Sequence, residues 1–134
     1  MRLVVDASVV VEACIGAAAF APLDGHELVA PPLLWSEATS VLHEMAWRGE
    51  IEGDVAARAV ERLEQAPIAR HDLDGGIRAA WAIADGLGWA KTYDAEYVAL
   101  AHELVAPLLT IDERLRRGIG KTIRVLGPMD VSEG

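Results

Sequence analysis

The sequence predicts an α/β domain with a mostly parallel sheet of four to five strands flanked by helices. Short apolar runs of strand length alternate along the chain with longer segments whose apolar residues have helical spacing. Two of those runs, residues 3–5 and 107–111, each end directly on an aspartate. Because no repeat or linker interrupts the 134 residues, we expect one domain over residues 1–134, with residues 127–134 as a tail.

The first part of the chain contains two predicted strands separated by a helix. Residues 3–5 are a buried strand that stops at Asp6, and Ser8 can cap the helix whose apolar residues start at Val9. Small residues and turn formers occupy residues 16–25. Residues 27–30 form a weak second strand, which Pro31 and Pro32 end.

A helical hairpin follows. Residues 33–48 have one apolar stripe of helical period and residues 55–63 another, with Gly49 and Gly53 bounding the turn between them. We expect this hairpin to protrude and to carry Trp35 and Trp47 near its apolar face. Core packing and the binding of a partner explain these two indoles equally well.

The second half of the chain repeats the alternation of strand and helix. After a minimal third strand at residues 67–69, a helix starts at Asp72 or Asp74, and its apolar stripe contains Ile77, Ala80, Trp81 and Ala84. The next helix begins at residues 92–94, with a stripe of Tyr97, Val98, Ala101, Leu104 and Val105. Residues 107–111 form a strand, a short basic helix follows, and residues 123–126 form the last strand. This order predicts parallel βαβ units.

Composition and charge argue against several classes of protein. The chain has 21 acidic and 12 basic residues, a net charge of -9, which disfavours a protein that coats nucleic acid by bulk charge. Cys14 is the only cysteine and the four histidines lack ligand spacing, so we expect neither a disulfide nor a zinc site. Apolar stretches stay far below the roughly 20 residues of a membrane span, and the chain enters a strand at once. We therefore expect a cytoplasmic protein without a signal peptide and without a membrane partner.

Four carboxylates occupy positions where a charge is costly. Asp6 and Asp112 each follow a buried strand, while Glu37 and Asp94 lie on the core-facing stripes of two helices. Each has a simpler explanation by itself, because aspartate often caps helices and Glu37 could pair with an arginine. Together, the four would gather at one edge of the sheet, at the carboxyl ends of strands where ligands bind in open α/β sheets.

Such a cluster would need a cation, because like charges at short distance raise one another's pKa. With only oxygen ligands available, the fitting ion is Mg²⁺ or Mn²⁺ rather than zinc. Magnesium sites commonly bridge to phosphate oxygens, so this arrangement favours phosphoryl chemistry. Basic residues also lie beside Asp112, five of the twelve within eleven positions: Arg114, Arg116, Arg117, Lys121 and Arg124.

The motifs resemble those of the PIN-domain nucleases, and among these most closely the VapC toxins of toxin–antitoxin pairs. The resemblance is carried by Val-Val-Asp-Ala-Ser at the N-terminus, Ser-Glu-Ala at residues 36–38, Tyr-Asp-Ala-Glu-Tyr-Val-Ala-Leu-Ala at 93–101 and Leu-Thr-Ile-Asp at 109–112. It extends from residue 3 to about residue 126, and the stretch at 93–101 followed by Thr-x-Asp is its most specific part.

The resemblance implies a single PIN-like domain with nuclease activity. In it, Asp6, Glu37, Asp94 and Asp112 would form the acidic quartet that holds Mg²⁺ or Mn²⁺, and a metal-activated water would hydrolyse RNA phosphodiester bonds. The three aspartates are the stronger candidates for direct ligands, and Glu37 is either a ligand or the base that accepts the water's proton.

The resemblance also implies supporting residues and partners. Ser8 and Thr110 would orient carboxylates or waters, and the candidates for RNA contacts are Arg114, Arg116, Arg117 and Lys121. A VapB-type antitoxin would bind the toxin, for which we expect a groove on the hairpin of residues 33–63, and the toxin itself would form a homodimer.

Two alternatives remain at this stage. A Mg²⁺-binding phosphoacceptor signalling domain would also gather carboxylates at strand ends, but it needs an aspartate after the third strand and a lysine near the last, for which Asp72 and Lys121 are poor matches. A PIN-fold binding module without activity is the second alternative, and the complete quartet disfavours it.

Overall fold

The computed structural model describes residues 1–132 of the chain and has five strands and seven α-helices in that range. In chain order the elements are β1 (Arg2–Val5), α1 (Ala7–Ile15), β2 (Glu27–Ala30), α2 (Leu33–Trp47), α3 (Gly53–Glu64), β3 (Ile68–Arg70), α4 (Gly76–Leu87), α5 (Tyr93–Leu104), β4 (Leu108–Leu109), α6 (Glu113–Ile119), β5 (Val125–Leu126) and α7 (Pro128–Ser132). A short 3₁₀ helix, Ala21–Leu23, precedes β2.

All five strands are parallel and lie in the order β3-β2-β1-β4-β5. The central strand β1 pairs with β2 on one side and with β4 on the other, so that Val4 lies between Val29 and Leu108. Leu3, Val4 and Val5 have no solvent-exposed surface, as their continuous apolar run predicts for a strand covered on both faces. The predicted α/β class and parallel sheet are confirmed.

Helices flank the sheet, and the predicted hairpin of α2 and α3 lies on α1. Helices α2 and α3 pack against each other and both pack against α1. Leu34, Ala38 and Leu42 form the buried stripe of α2, and Ala59 and Leu63 that of α3. No helix in residues 1–132 combines the length and the apolarity that crossing a membrane requires.

Helix α4 differs from its predicted orientation. Ala80 and Ala84 are buried against Ala95 of α5, but Ile77 and Trp81 are 88% and 69% exposed. The two helices meet through alanines, whose small side chains allow close approach, and the larger apolar residues point away from the contact. The helix also starts at Gly76, after both predicted caps, and is preceded by Gly75 in the left-handed conformation.

Three terminal features also differ from the predictions. Asp6, not Ser8, caps α1, because its carboxylate accepts a hydrogen bond from the Val9 backbone N–H at 3.2 Å. Val105, predicted on the buried stripe of α5, ends that helix with φ of 49° and is 92% exposed. The strands β4 and β5 are two residues long, which is shorter than the predicted runs.

The predicted tail contains a helix. Pro128 occupies the first helical position of α7, where its missing N–H costs nothing, and Asp130 accepts a hydrogen bond from the Gly127 backbone N–H at 2.7 Å. Val131 is 3% exposed and joins the core, so residues 128–132 are part of the domain. The last two residues of the predicted tail, 133 and 134, lie outside the described range.

Candidate active site

The candidate site lies where the strand order reverses. The chain proceeds from β1 to β2 and β3 on one side of the sheet, and β4 then pairs with the other side of β1. In open α/β sheets this topological switch point leaves a crevice outside the carboxyl ends of the two central strands. Asp6 follows β1 directly, and Thr110 and Asp112 follow β4 closely, so topology brings the two predicted strand-end carboxylates to the same crevice.

Asp6 is buried and held by three hydrogen bonds. One carboxylate oxygen accepts from the Ser8 hydroxyl at 2.6 Å and from the Val9 N–H, and the other accepts from the Thr110 hydroxyl at 2.5 Å. Burial raises the pKa of Asp6 despite these three donors, and the charge of Asp94 raises it further. Ser8 and Thr110 therefore lie where the sequence predicts them, beside a carboxylate whose orientation they fix.

Asp112 is tied to the same network through the backbone. Its N–H donates to the Thr110 hydroxyl oxygen at 3.0 Å, and its carboxylate caps α6 by accepting from the N–H groups of Arg114 and Leu115. The simpler explanation of Asp112 as a helix cap is thus correct in geometry. Capping engages only one of its two carboxylate oxygens, which is compatible with a second role.

Glu37 reaches the site from α2 and is held by Tyr97 of α5. The Tyr97 hydroxyl donates to a Glu37 carboxylate oxygen at 2.5 Å, and the tyrosine is 1% exposed. Burial raises the pKa of Glu37, the Tyr97 hydrogen bond lowers it, and the charges of Asp94, Asp6 and Glu96 raise it. The sequence marked Tyr97 only as a core residue, and its hydroxyl carries no sequence signal beyond its place in the 93–101 motif.

Asp94 links the other three carboxylates electrostatically. Burial and then the charge of Asp112 raise its pKa, and the charge of Arg114 lowers it. Asp94 in turn raises the pKa of both Asp6 and Glu37. Asp94 therefore lies close enough to Asp6 and Glu37 to disfavour their charged forms, Asp112 acts in the same way on Asp94, and the charge of Arg114 opposes this effect at Asp94.

Three of the four carboxylates line one open cleft. The cleft has a volume of about 580 Å³ and is bordered by Glu37, Asp94 and Asp112. Arg114 also lines it, together with Trp89 and Lys91, which the sequence did not single out, and with Tyr93, which the sequence placed in the 93–101 motif without a role. The signal that could have found Trp89 and Lys91 is their position within the five residues before Asp94.

The rest of the predicted basic cluster lies elsewhere. Arg116 forms an ion pair with Asp130 of α7 at 3.8 Å, and neither Arg117 nor Lys121 belongs to the lining of the cleft. Of the four predicted RNA contacts, the structure brings only Arg114 to the carboxylates.

The four carboxylates are ligands of the kind that a hard cation prefers, although their side chains are too far apart in this structure to coordinate one together. No three His, Cys, Asp or Glu side chains within residues 1–132 are grouped tightly enough to hold a metal ion. The chemistry nevertheless fits, because the anionic side chains that line the cleft are all carboxylates, and because burial and then repulsion from a neighbouring carboxylate raise the pKa of Asp6, Glu37 and Asp94. A divalent cation would remove that repulsion.

The protein is therefore an α/β domain with an all-parallel sheet, and carboxylates gather at the carboxyl ends of its two central strands, β1 and β4. The chain belongs to the PIN domain family, whose model matches residues 3–119.

Curated relatives and solved structures agree with this assignment. Ribonuclease VapC3 of Mycobacterium tuberculosis is 35% identical over 121 residues, covering 87% of this chain and 86% of that protein. Ribonuclease VapC9 of the same organism is 33% identical over 114 residues, covering 84% and 87%. The structure of PAE2754 from Pyrobaculum aerophilum has a TM-score of 0.79 at 19% identity, covering 99% of this chain and 93% of that one. VapBC2 from Rickettsia felis, bound to a DNA fragment from their promoter, has a TM-score of 0.65 at 10% identity, covering 95% and 98%. At these identities the two structures establish a shared fold.

Proposed function

We propose that this chain is an endoribonuclease that depends on Mg²⁺ or Mn²⁺ and acts as the toxin of a type II toxin–antitoxin pair. The observation that carries the proposal is that Glu37, Asp94 and Asp112 line one cleft beside the buried Asp6, where burial and then mutual repulsion raise the pKa of Asp6, Glu37 and Asp94 and a divalent cation would relieve the repulsion. The names of relatives at 33–35% identity, all VapC ribonucleases, supply the substrate class. Phosphodiester hydrolysis is the chemistry that an all-carboxylate magnesium site serves.

The residues have separable roles in this proposal. Asp6, Asp94 and Asp112 would hold the cation through carboxylate oxygens, and Ser8 and Thr110 fix the orientation of Asp6. When bound, Mg²⁺ or Mn²⁺ stabilises charge on phosphate oxygens and makes water a stronger acid.

Glu37 is the best-placed base. Burial moves its pKa upward, toward the working pH, which makes it a better proton acceptor than an exposed glutamate. The Tyr97 hydroxyl holds one of its oxygens and leaves the other available for a water or for the cation. Arg114 lies on the same cleft, where its guanidinium can contact a phosphate of the substrate.

A cleavage assay tests the proposal. Antitoxin-free protein is incubated with labelled transfer, ribosomal and messenger RNA in Mn²⁺ or Mg²⁺, and the reaction is repeated in EDTA. We expect discrete fragments that need the metal and that disappear when Asp6, Glu37, Asp94 or Asp112 is replaced by its amide. If the folded protein leaves every RNA intact, or if cleavage persists in EDTA, the proposal is wrong.

We also propose that a VapB-type antitoxin binds between α1 and α2. An apolar groove of about 540 Å³ lies there, lined by Val11 and Ile15 of α1 and by Val41 and Met45 of α2, and it reaches Ser8 beside the acidic cleft. The groove includes one helix of the predicted hairpin of residues 33–63, but neither of the two indoles lines it: Trp47 is 81% exposed and Trp35 lies under the Arg70 guanidinium at 4.6 Å. A Met45→Asp variant should weaken binding of a VapB-type antitoxin, and Trp47→Asp should not. The opposite order would place the antitoxin on the surface around Trp47 and contradict binding between α1 and α2.

A homodimer and a cytoplasmic location complete the proposal. Ile77 and Trp81 lie one turn apart on α4 and are largely exposed, which gives a second copy an apolar face to cover. Light scattering on the purified chain should report a dimer, and Trp81→Glu should shift it toward the monomer. A parent protein that is monomeric at micromolar concentration would refute the dimer.

The signalling alternative loses support from the sheet order. A phosphoacceptor after the third strand would have to lie near Asp6, but β3 is at the edge of the sheet and β2 separates it from β1. Asp72 is also exposed, and no shift of the carboxylates near Asp6 involves it. The alternative of an inactive binding module is decided by the cleavage assay.

A further inference from the structure

The acidic cleft has a second wall that hydrolysis does not explain. The connection between α4 and α5 places Trp89 and Lys91 on the lining, and Tyr93 opens α5 beside Asp94. Neither aromatic ring has a role in holding a cation or in accepting a proton. Both line the same 580 Å³ space as Glu37, Asp94 and Asp112.

Trp89 is fixed in place by its neighbours. Gly88 ends α4 in the left-handed conformation with φ of 72° and turns the chain so that the indole lies against α6. A Cβ atom added at Gly118 would lie 3.4 Å from the indole nitrogen, in ordinary van der Waals contact, so the ring lies beside α6 at this glycine. The indole is half-buried and also packs on the core, which makes it a rigid platform rather than a mobile surface side chain.

Tyr93 supplies a second, more open ring. Its side chain is 55% exposed, although it lies in the first turn of a well-buried helix. Lys91 and Arg114 line the same cleft as the two aromatic rings and add two positive charges to it. Aromatic faces next to cationic side chains are the combination that binds single-stranded nucleic acid, since the rings stack on bases and the cations contact phosphates.

We propose that Trp89 and Tyr93 form a stacking site for an unpaired RNA base next to the cleaved bond, with Lys91 and Arg114 on the flanking phosphates. This inference rests on the proposed nuclease function, because it assigns the RNA to the same cleft. A base inside an A-form helix is stacked and cannot reach these rings. The substrate is therefore an RNA with an unpaired nucleotide at the cleavage position, such as a loop or a single strand.

The test separates contacts to bases from contacts to phosphates. A short labelled single-stranded RNA and an abasic oligonucleotide of the same length and charge are titrated with the full chain in EDTA at low salt, and binding is followed by fluorescence anisotropy. We expect the base-bearing RNA to bind about tenfold more tightly, as stacking of one base provides. Equal affinities for the two oligonucleotides, or no binding of either, would overturn the proposal.

Matched variants locate the site. Trp89→Leu and Tyr93→Leu should each reduce the advantage of the base-bearing RNA, while Tyr93→Phe should keep it because the ring remains. Lys91→Ala should weaken both oligonucleotides in parallel. Trp47→Leu is the control, because that indole is exposed at the far end of α2 and does not line the cleft. If Trp89→Leu and Tyr93→Leu both retain the full advantage, the rings are not the stacking site.

Failure of this inference differs from failure of the proposed function. A chain that cleaves RNA with metal but shows no preference for base-bearing RNA retains the nuclease function and loses the stacking site. A chain that prefers base-bearing RNA through Trp89 and Tyr93 but cleaves nothing retains the stacking site and loses the reaction. Unfolding of Trp89→Leu is checked by circular dichroism, and the exposed Tyr93 then provides the decisive variant.

Discussion

The hydrogen bond from Tyr97 to Glu37 gives the sharpest stability prediction. The Tyr97→Phe substitution removes one hydroxyl and keeps the ring, which is 1% exposed, so no cavity larger than an oxygen forms. What is lost is a 2.5 Å donor to a carboxylate whose pKa burial already raises. The folded state then contains a partly desolvated carboxylate without its donor.

The magnitude follows from the kind of bond. Hydrogen bonds to charged groups contribute about 1.5–3 kcal/mol, and the lower end applies because Glu37 is only half-buried. We expect the free energy of unfolding to fall by about 1.5 kcal/mol, which lowers the melting temperature of a domain of this size by roughly 5 °C.

The pH dependence distinguishes this bond from a packing effect. The Tyr97 hydroxyl favours the ionised form of Glu37, so its stabilisation is complete above the raised pKa of Glu37 and diminishes as the pH falls through that pKa. Thermal melts in EDTA at about pH 7.5 and about pH 4 should therefore give a larger difference between parent and variant at the higher pH.

The control is the same substitution in a Glu37→Gln background. There the tyrosine donates to a neutral amide oxygen, and Tyr97→Phe should cost only about 0.5–1 kcal/mol. An unchanged melting temperature at neutral pH, or a loss that is the same at both pH values and in both backgrounds, would refute the reasoning.

Three further predictions concern the site and the chain ends. Asp94→Asn should raise the melting temperature of the metal-free protein by roughly 2 °C, because a carboxylate with a raised pKa destabilises the folded state as the pH rises above the pKa of the unfolded chain. Added Mn²⁺ should stabilise the parent but not the variant. A variant that melts at a lower temperature than the parent in EDTA would contradict this prediction. Val105→Gly should stabilise the domain by about 0.5–1 kcal/mol in urea unfolding, since a β-branched residue at φ of 49° is strained and its exposed side chain contributes no packing. A variant that is less stable than the parent would contradict this prediction. Val131→Ala should cost about 1.6 kcal/mol in the same assay, whereas a true tail would tolerate it without loss.

The sequence predicted best the features that depend on neighbouring residues, such as the first strand and the carboxylate that follows it. Val4 and Val5 end at Asp6 in a β-branched run that favours a strand covered on both faces, and the topology that follows brings Asp6 and Asp112 to one crevice. The gathering of Glu37 and Asp94 near them was also predictable, because a charge on a core-facing helical stripe requires a local reason.

What the sequence could not provide depends on tertiary contacts. The period of α4 shows which residues share a face, but the choice of Ala80 and Ala84 over Ile77 and Trp81 as the packed face depends on how closely α5 approaches. The helix after β5 was missed because five residues carry too little periodicity, although Pro128 at its start is a recognised signal. Trp89 and Tyr93 received no role because only the folded structure shows both rings on one cleft with Glu37 and Asp112.

The most direct test of the central claim is the rate of Mn²⁺-dependent RNA cleavage by the parent, by Asp94→Asn and by Asp85→Asn. The two variants make the same chemical change, and Asp85 is an exposed residue of α4 that does not line the cleft. We expect Asp94→Asn to slow cleavage by at least about a hundredfold, because it would weaken the hold on the cation that stabilises charge in the transition state, and Asp85→Asn to cleave at the parental rate. Equal rates for the parent and Asp94→Asn would contradict the assignment of the acidic cleft as the active site.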